Sequence, residues 1–240
     1  MSKTLITELC RQLRLGTYIA DSYTEVEADS HEEFLIKLLT EAVAKRSSER
    51  RKRYIQQAGF DLMKGYDDFD FSDIVLPAEL TPESLRTCDF VENEQNLILY
   101  GRPGTGKTHL AIALGIEACK RDYKVLYYKT SRLVNLLSQA KEERSESKFW
   151  RKLNTADLLI LDEWGYIPFE RVGTQLLFEA ISDCYEKRSV IITTNLPFDE
   201  WNTIFYDQKL TAAILDRLIH HGLLLMHDGQ SYRLQNSQMQ

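Results

Sequence analysis

Proline is absent before Pro77, and glycine is absent between Gly16 and Gly59. A stretch so free of backbone breakers excludes a turn-rich β module and leaves helix as the default for the first sixty or so residues. Cysteine is scarce: Cys10, Cys88, Cys119 and Cys184 stand apart with no C-x-x-C pair, which excludes a disulfide framework or zinc finger and leaves reduced thiols. No apolar run of about 18 residues exists, so no membrane partner is expected. Met1-Ser2-Lys3-Thr4-Leu5-Ile6 lacks an export stretch, and a cytoplasmic location is the expectation. Bases are outnumbered, 30 Lys and Arg against 36 Asp and Glu for a net charge of −6, which speaks against nucleic acid globally but not locally. Lys45, Arg46, Arg50, Arg51, Lys52 and Arg53 place six cations against the single acid Glu49 within nine residues. Such a stripe binds phosphates or simply solvates a helix face.

The densest chemistry lies at residues 96–108. A short apolar strand, Leu97 to Tyr100, runs into Gly101-Arg102-Pro103-Gly104-Thr105-Gly106-Lys107-Thr108, and an amphipathic helix from His109 to Lys120 comes next. The pattern G-x-x-x-x-G-K-[ST] is complete and stands in the strand-to-helix context it requires. Glycines at 101, 104 and 106 let successive N–H groups turn inward around a phosphate, and the helix N-terminus adds its own donors. Lys107 supplies a cation for the β and γ phosphates and Thr108 a hydroxyl for Mg²⁺, so ATP and Mg²⁺ are the expected cofactors.

Along the chain, Leu5, Leu9 and Leu13 fall four apart, and Phe34, Leu35, Leu38, Leu39 and Ala42 repeat at helical spacing; both sets are expected to be core faces. Ser30 and Glu33 look like a capping box opening the second long helix. Residues 61–96 change character, with Gly59, Gly65, Pro77, Pro82 and the acidic run Asp67-Asp68-Phe69-Asp70-Phe71 marking a linker whose phenylalanines dock on the next domain. The expected domains are a helical module over 1–65, a docking linker over 66–95 and an α/β domain over 96–240. In the last, strands at 97–100, 125–130, 157–163, 189–195 and 223–227 alternate with helices. Near-continuous apolar runs such as Leu158-Leu159-Ile160-Leu161 require burial on both faces, and a five-stranded parallel sheet results.

The acid strand ends in Asp162-Glu163. Asp162 suits Mg²⁺ beside the loop, and Glu163 suits polarisation of a water in line with the γ phosphate. The next strand ends in Thr193-Thr194-Asn195, where Asn195 could hold that water or serve only as turn chemistry. Phe149 and Trp150 read as core despite their basic neighbours. His220, His221 and His227 match no standard ligand spacing and read as polar residues at element ends.

The stretch from Asn96 to Leu234 resembles an AAA+ ATPase of the DnaC/IstB group, and in particular the IstB-like transposition helpers. The residues that carry the resemblance are Gly101 to Ala111, Leu159-Ile-Leu-Asp-Glu-Trp-Gly-Tyr166, Leu177-Phe178 with Tyr185-Glu186, Leu215-Asp-Arg-Leu-Ile-His-His221 and Ser231-Tyr-Arg-Leu234. The N-terminal helices also fit, so nearly the whole chain is covered. The resemblance implies an ATPase of an insertion sequence that binds duplex DNA when charged with ATP, self-assembles on it as a homo-oligomer and presents it to a cognate transposase. It implies ATP between subunits, with Arg217 of a neighbour as the arginine finger and Arg188 as second choice, and Arg233 as a sensor arginine; no sizeable lid is expected, because few residues follow Leu234. DNA contacts are expected from the basic cluster and from Lys129 and Arg132 after the second strand. A DnaC-type replicative helicase loader shares the ATPase and is the alternative; a small-molecule kinase is disfavoured by Glu163 and Asn195, and a third reading is a DNA-binding nucleotide switch without turnover.

Overall fold

The computed structural model describes residues 2–205 and 207–235. The chain divides into two compact units, Met1–Arg53 and Tyr54–Gln240.

In the first unit α1 (Ser2–Gln12), α2 (Ile19–Ser22) and most of α3 (His31–Ala58) result from the missing breakers. The Ser30 Oγ accepts the Glu33 N–H at 3.1 Å, and the Glu33 carboxylate accepts the Asp29 N–H at 2.9 Å, a cap that starts α3 where the sequence places it. The core is small: Cys10, Ile19, Leu38 and Ala42, packed by Ile6, Tyr18 and Phe34. The expected core faces divide here. Phe34, Leu38 and Ala42 turn inward, whereas Leu5, Leu9, Leu13, Leu35 and Leu39 stay exposed, Leu13 at 69%. Each helix carries more apolar surface than one helical stripe, and a unit this small encloses only one of them.

The second unit begins inside α3. Tyr54, Ile55, Ala58 and Phe60 pack into the main core, so the division falls earlier than the boundary expected near Gly65. The 66–95 stretch is also more than a linker. It contributes β1 (Ile74–Val75), α4 (Pro82–Thr87), capped by Thr81 with Pro82 in its first turn, and α5 (Asp89–Glu92). Leu85, Cys88 and Phe90 from it are buried at 1% exposure or less.

The remainder alternates: β2 (Asn96–Gly101), α6 (Lys107–Lys120), β3 (Val125–Lys129), α7 (Thr130–Glu142), α8 (Glu146–Leu153), β4 (Leu158–Trp164), α9 (Arg171–Cys184), β5 (Ser189–Thr194), a 3₁₀ turn at Phe198–Thr203, α10 (Gln208–His220), β6 (Gly222–His227) and α11 (Tyr232–Gln235). Helix α8 is an addition to the expected alternation; it seats Phe149 and Trp150 against the core.

The sheet has the order β1-β6-β2-β5-β4-β3. Five strands are parallel, as expected, but the sheet is six-stranded and mixed, because Ile74 and Val75 pair antiparallel with His227 and Met226. Two residues between polar and proline-rich neighbours are too short to be read as a strand from periodicity. Alternate residues along each strand feed opposite core clusters: Leu97, Tyr127, Ile160 and Ile191 face α4 and α6, while Leu126, Leu159, Leu161 and Ile192 face α7 and α9. The order also explains the site. The chain leaves β2 on its way to the distant β3 and later returns to insert β5 beside β2, which opens a crevice at the carboxyl ends of the strands.

Candidate functional site

The glycine-rich loop leaves the end of β2 and enters α6. Gly104 and Gly106 take φ of +85° and +86°, conformations that glycine alone adopts freely. A Cβ at Gly104 would sit 2.1 Å from the Ser231 hydroxyl, so close approach is a second reason for glycine there. Lys107 is buried, and its Nζ donates to the carbonyls of Gly101 and Arg102, each at 2.7 Å. Burial pushes the Lys107 pKa down to about 8; the Asp162 carboxylate opposes this and Arg233 adds to it. The Thr105 hydroxyl donates back to the Arg102 carbonyl at 2.8 Å, closing the loop, while Arg102 and Pro103 are exposed at its tip.

Three segments brace the loop. Tyr232 N–H donates to the Gly104 carbonyl at 3.0 Å, which brings Arg233 beside the site. The buried His227 ring, at the end of β6, bonds the Thr105 carbonyl through Nδ1 at 2.9 Å. On another side His109 bonds the Gly65 carbonyl at 3.0 Å, and the Phe69 and His109 rings meet in a T-shaped contact with centroids 5.3 Å apart.

The acids sit at a break in the sheet. The β4–β5 register shifts between Leu161 and Trp164, and Glu163 takes φ of +58°, rare for a residue with a side chain. Thr193 explains the break: its hydroxyl accepts the Glu163 N–H at 3.0 Å and donates to the Asp162 carboxylate, replacing a ladder bond with side-chain bonds. Asp162 is 1% exposed, and its carboxylate also accepts from the hydroxyls of Thr108 at 2.9 Å and Tyr127 at 2.7 Å. Thr130 bonds the Asp162 carbonyl at 2.9 Å. Glu163 is paired with Lys129 at 2.8 Å. At the tip of β5, the Asn195 Oδ1 is buried and has no hydrogen-bond partner among the described residues.

A family model described as IstB-like ATP binding protein matches residues 13–240. The chain belongs to this IstB-like family. It is 33% identical over 243 residues to the insertion sequence IS5376 ATP-binding protein of Geobacillus stearothermophilus, a match spanning 99% of this chain and 97% of that one. It is 38% identical over 205 residues to the corresponding IS21 protein of Pseudomonas aeruginosa, spanning 85% and 77%. Among solved structures, AMPPCP-bound DnaA from Aquifex aeolicus superposes with a TM-score of 0.58 at 20% identity, over 74% of this chain and 54% of that chain. The DnaC helicase loader superposes at 0.50 and 23% identity, over 73% and 99%. At these identities the structural likeness shows the fold, the AAA+ P-loop α/β domain.

The IstB-like chain thus gathers Gly101 to His109, Asp162, Glu163, Asn195 and Arg233 around one crevice. The donors fit the implied groups: a hydroxyl and a carboxylate, Thr108 and Asp162, are the hard oxygen ligands Mg²⁺ takes, and the positive φ of Gly104 and Gly106 is the backbone conformation that turns successive N–H groups toward a phosphate. Lys129, expected at DNA, is the partner of Glu163. Arg132 is exposed on α7.

Other expected residues lie elsewhere. Arg217 donates to the Ala213 carbonyl at 2.8 Å and lies 4.9 Å over the Phe178 ring. The next residue's carbonyl bonds Asn96, the first residue of β2, so Arg217 sits at the amino ends of the strands, opposite the carboxyl ends that carry its own loop. Arg188 is buried, bonding the Leu153 and Asp183 carbonyls and the Asn154 amide oxygen at 2.7 to 3.0 Å; it works inside its own chain. Lys45, Arg46, Arg50, Arg51, Lys52 and Arg53 lie along α3 in the first unit, with Lys45 over the Tyr18 ring and Lys52 paired with Glu49. Sequence reasoning missed Thr193 and Tyr127 as partners of Asp162. Thr193 stood in view beside Asn195, but a strand residue's side chain reveals its neighbour only once the strand order is known.

Proposed function

We propose that this IstB-like protein is a Mg²⁺-dependent ATPase that, with ATP bound, assembles on duplex DNA and serves a partner transposase encoded by the same insertion sequence. The observation that carries the reading is the joined set Thr108, Asp162, Thr193 and Glu163, which ties the loop to the acid strand through hydroxyl-to-carboxylate bonds.

In this reading the loop glycines present backbone N–H groups to the phosphates, and Lys107 exchanges its two carbonyl partners for phosphate oxygens, whose negative charge favours its protonated form. Thr108 and Asp162 hold Mg²⁺, which when bound neutralises charge on the phosphate oxygens. Glu163 orients and polarises the attacking water, and the Asn195 oxygen offers that water a second anchor. Arg217 cannot serve the loop of its own chain from the amino ends of the strands, which suits a residue acting on a neighbour's ATP. The AMPPCP named with the similar DnaA structure supports a nucleotide on this fold. Chemistry on the DNA belongs to the transposase.

The deciding experiment is Glu163→Gln, measured for phosphate release and for DNA affinity with ATP and with ADP. Hydrolysis is expected to fall by about 10²-fold or more while ATP-dependent DNA binding persists. Equal DNA affinity with either nucleotide would sink the nucleotide-gated reading.

A further inference from the structure

The Glu186 carboxylate and one ring nitrogen each of His220 and His221 lie within 4.8 Å of one another, well away from the phosphate loop. The sequence hides this cluster because Glu186 is remote from the histidines along the chain. Glu186 stands in the turn between α9 and β5 with φ of +52°, an uncommon conformation for a residue with a side chain, while His220 ends α10 and His221 comes directly after it.

We propose that Glu186, His220 and His221 form a binding site for a borderline divalent cation of the Zn²⁺ class. Two imidazoles and one carboxylate select Zn²⁺ over Mg²⁺, which prefers oxygen alone. Tetrahedral bonds of about 2.0–2.1 Å set ligand atoms roughly 3.4 Å apart. The His221 Nε2 and Glu186 Oε1 are already 3.8 Å apart, and the side chains are exposed or half-exposed, so small rotamer changes close the remaining gap.

Three further features favour the site. The Tyr185 hydroxyl bonds His220 Nδ1 at 2.9 Å and fixes that ring, the outer contact that metal-binding histidines ordinarily have. The carboxyl end of a thirteen-residue helix, α10, carries partial negative charge where the cation would sit. A small cavity of about 10 Å³, lined by Tyr185, Glu186, Arg217 and His221 among others, lies alongside, enough for one water. Arg217 is the opposing charge; its guanidinium is 6.0 Å from the Tyr185 ring centre and is held by the Ala213 carbonyl and Phe178. An ion held here therefore bears on the posture of Arg217, whatever the role of that arginine. With three protein ligands the fourth position stays open to water or to a group from another molecule.

The test is uptake of Zn²⁺ alone by the full-length, chelator-stripped chain without nucleotide, followed by competition with a chromogenic chelator. One ion per chain is expected in the micromolar range. Tyr185→Phe should weaken it about tenfold, and Glu186→Gln or the pair His220→Ala with His221→Ala should abolish it. Absence of uptake, or uptake that survives the double histidine change, overturns the proposal. A readout on the unaltered protein guards against variants that misfold: Zn²⁺ should shift the ring resonances of His220 and His221, and Co²⁺ should give visible bands without sulfur charge transfer, the four cysteines being buried. Unmoved histidine resonances also overturn it.

Discussion

Burial holds the His227 imidazole neutral against the loop, with its pKa pushed down to about 4, while its Nδ1 bonds Thr105 and its Nε2 has no partner among the described residues. An unfolded histidine titrates near 6.5, so between about pH 6.5 and 4 the unfolded chain binds the extra proton and stability falls as pH falls. We expect a loss of about 3 kcal/mol across that window from this group, read as a falling melting temperature, and largely removed in His227→Phe. Equal acid sensitivity in the variant would assign the loss to other groups. Also at this scale, the Lys129–Glu163 pair leaves its side chains 41% and 38% exposed, so it holds with about 1 kcal/mol or less. Lys129→Met should therefore raise DNA-independent phosphate release by no more than about fivefold. An unchanged or lower rate would show that the pair does not restrain Glu163. The acids and the loop were legible in the sequence as candidates, because each belongs to a contiguous motif, whereas Asn195 stood open between holding a water and forming a turn. The partners that orient the acids were not legible, because Tyr127 and Thr193 reach Asp162 across strands.

The loop and the C-terminal segment act as one element. Tyr232 donates to Gly104, and Ser231 occupies the space a side chain at 104 would need. Gly104→Ala meets both that clash at 2.1 Å and an unfavourable φ of +85°. The conformational part alone is about 1–2 kcal/mol, so affinity for a fluorescent ATP analogue should drop at least fivefold. Adding Ser231→Gly removes the clash and should recover part of the loss; no recovery would mean that backbone strain alone decides. At this scale the sequence was informative for long elements and silent on short ones. The strands of buried β4 and β5 announced themselves as apolar runs, whereas β1 exists because His227 and Met226 offer an edge for Ile74 and Val75 to pair with. In the same way α1 and α3 were legible as helices, but which apolar stripe of each would be enclosed depended on the small core they could build together.

At the scale of the whole molecule, the function proposed above makes the basic stripe on α3 a phosphate-binding surface, so duplex binding through it is expected to be salt-dependent. Replacing Arg50, Arg51 and Arg53 by Ala should lower the slope of log affinity against log salt by up to about 0.9 per lost phosphate contact, nearly alike for all sequences. An unaltered slope would move the DNA site elsewhere. Arg217→Ala should preserve ATP binding and reduce hydrolysis by about 10³-fold or more, and mixing it with Glu163→Gln subunits should restore some turnover if each supplies what the other lacks across an interface. Persistent inactivity of every mixture would exclude Arg217 as a residue acting on a neighbour.

The sequence by itself determined the loop, the strand that bears the acids and the family, since these rest on residues adjacent in the chain whose spacing is dictated by phosphate and backbone geometry. Tertiary structure alone decided what surrounds them. The insertion of β5 between β2 and β4 puts Thr193 against Asp162 and Glu163, the return of β6 sets His227 and the 231–233 segment on the loop, and the packing of α9 beside α10 joins Glu186 to His220 and His221. Those contacts join residues far apart in the chain, and only the order in which strands and helices pack brings them within bonding distance.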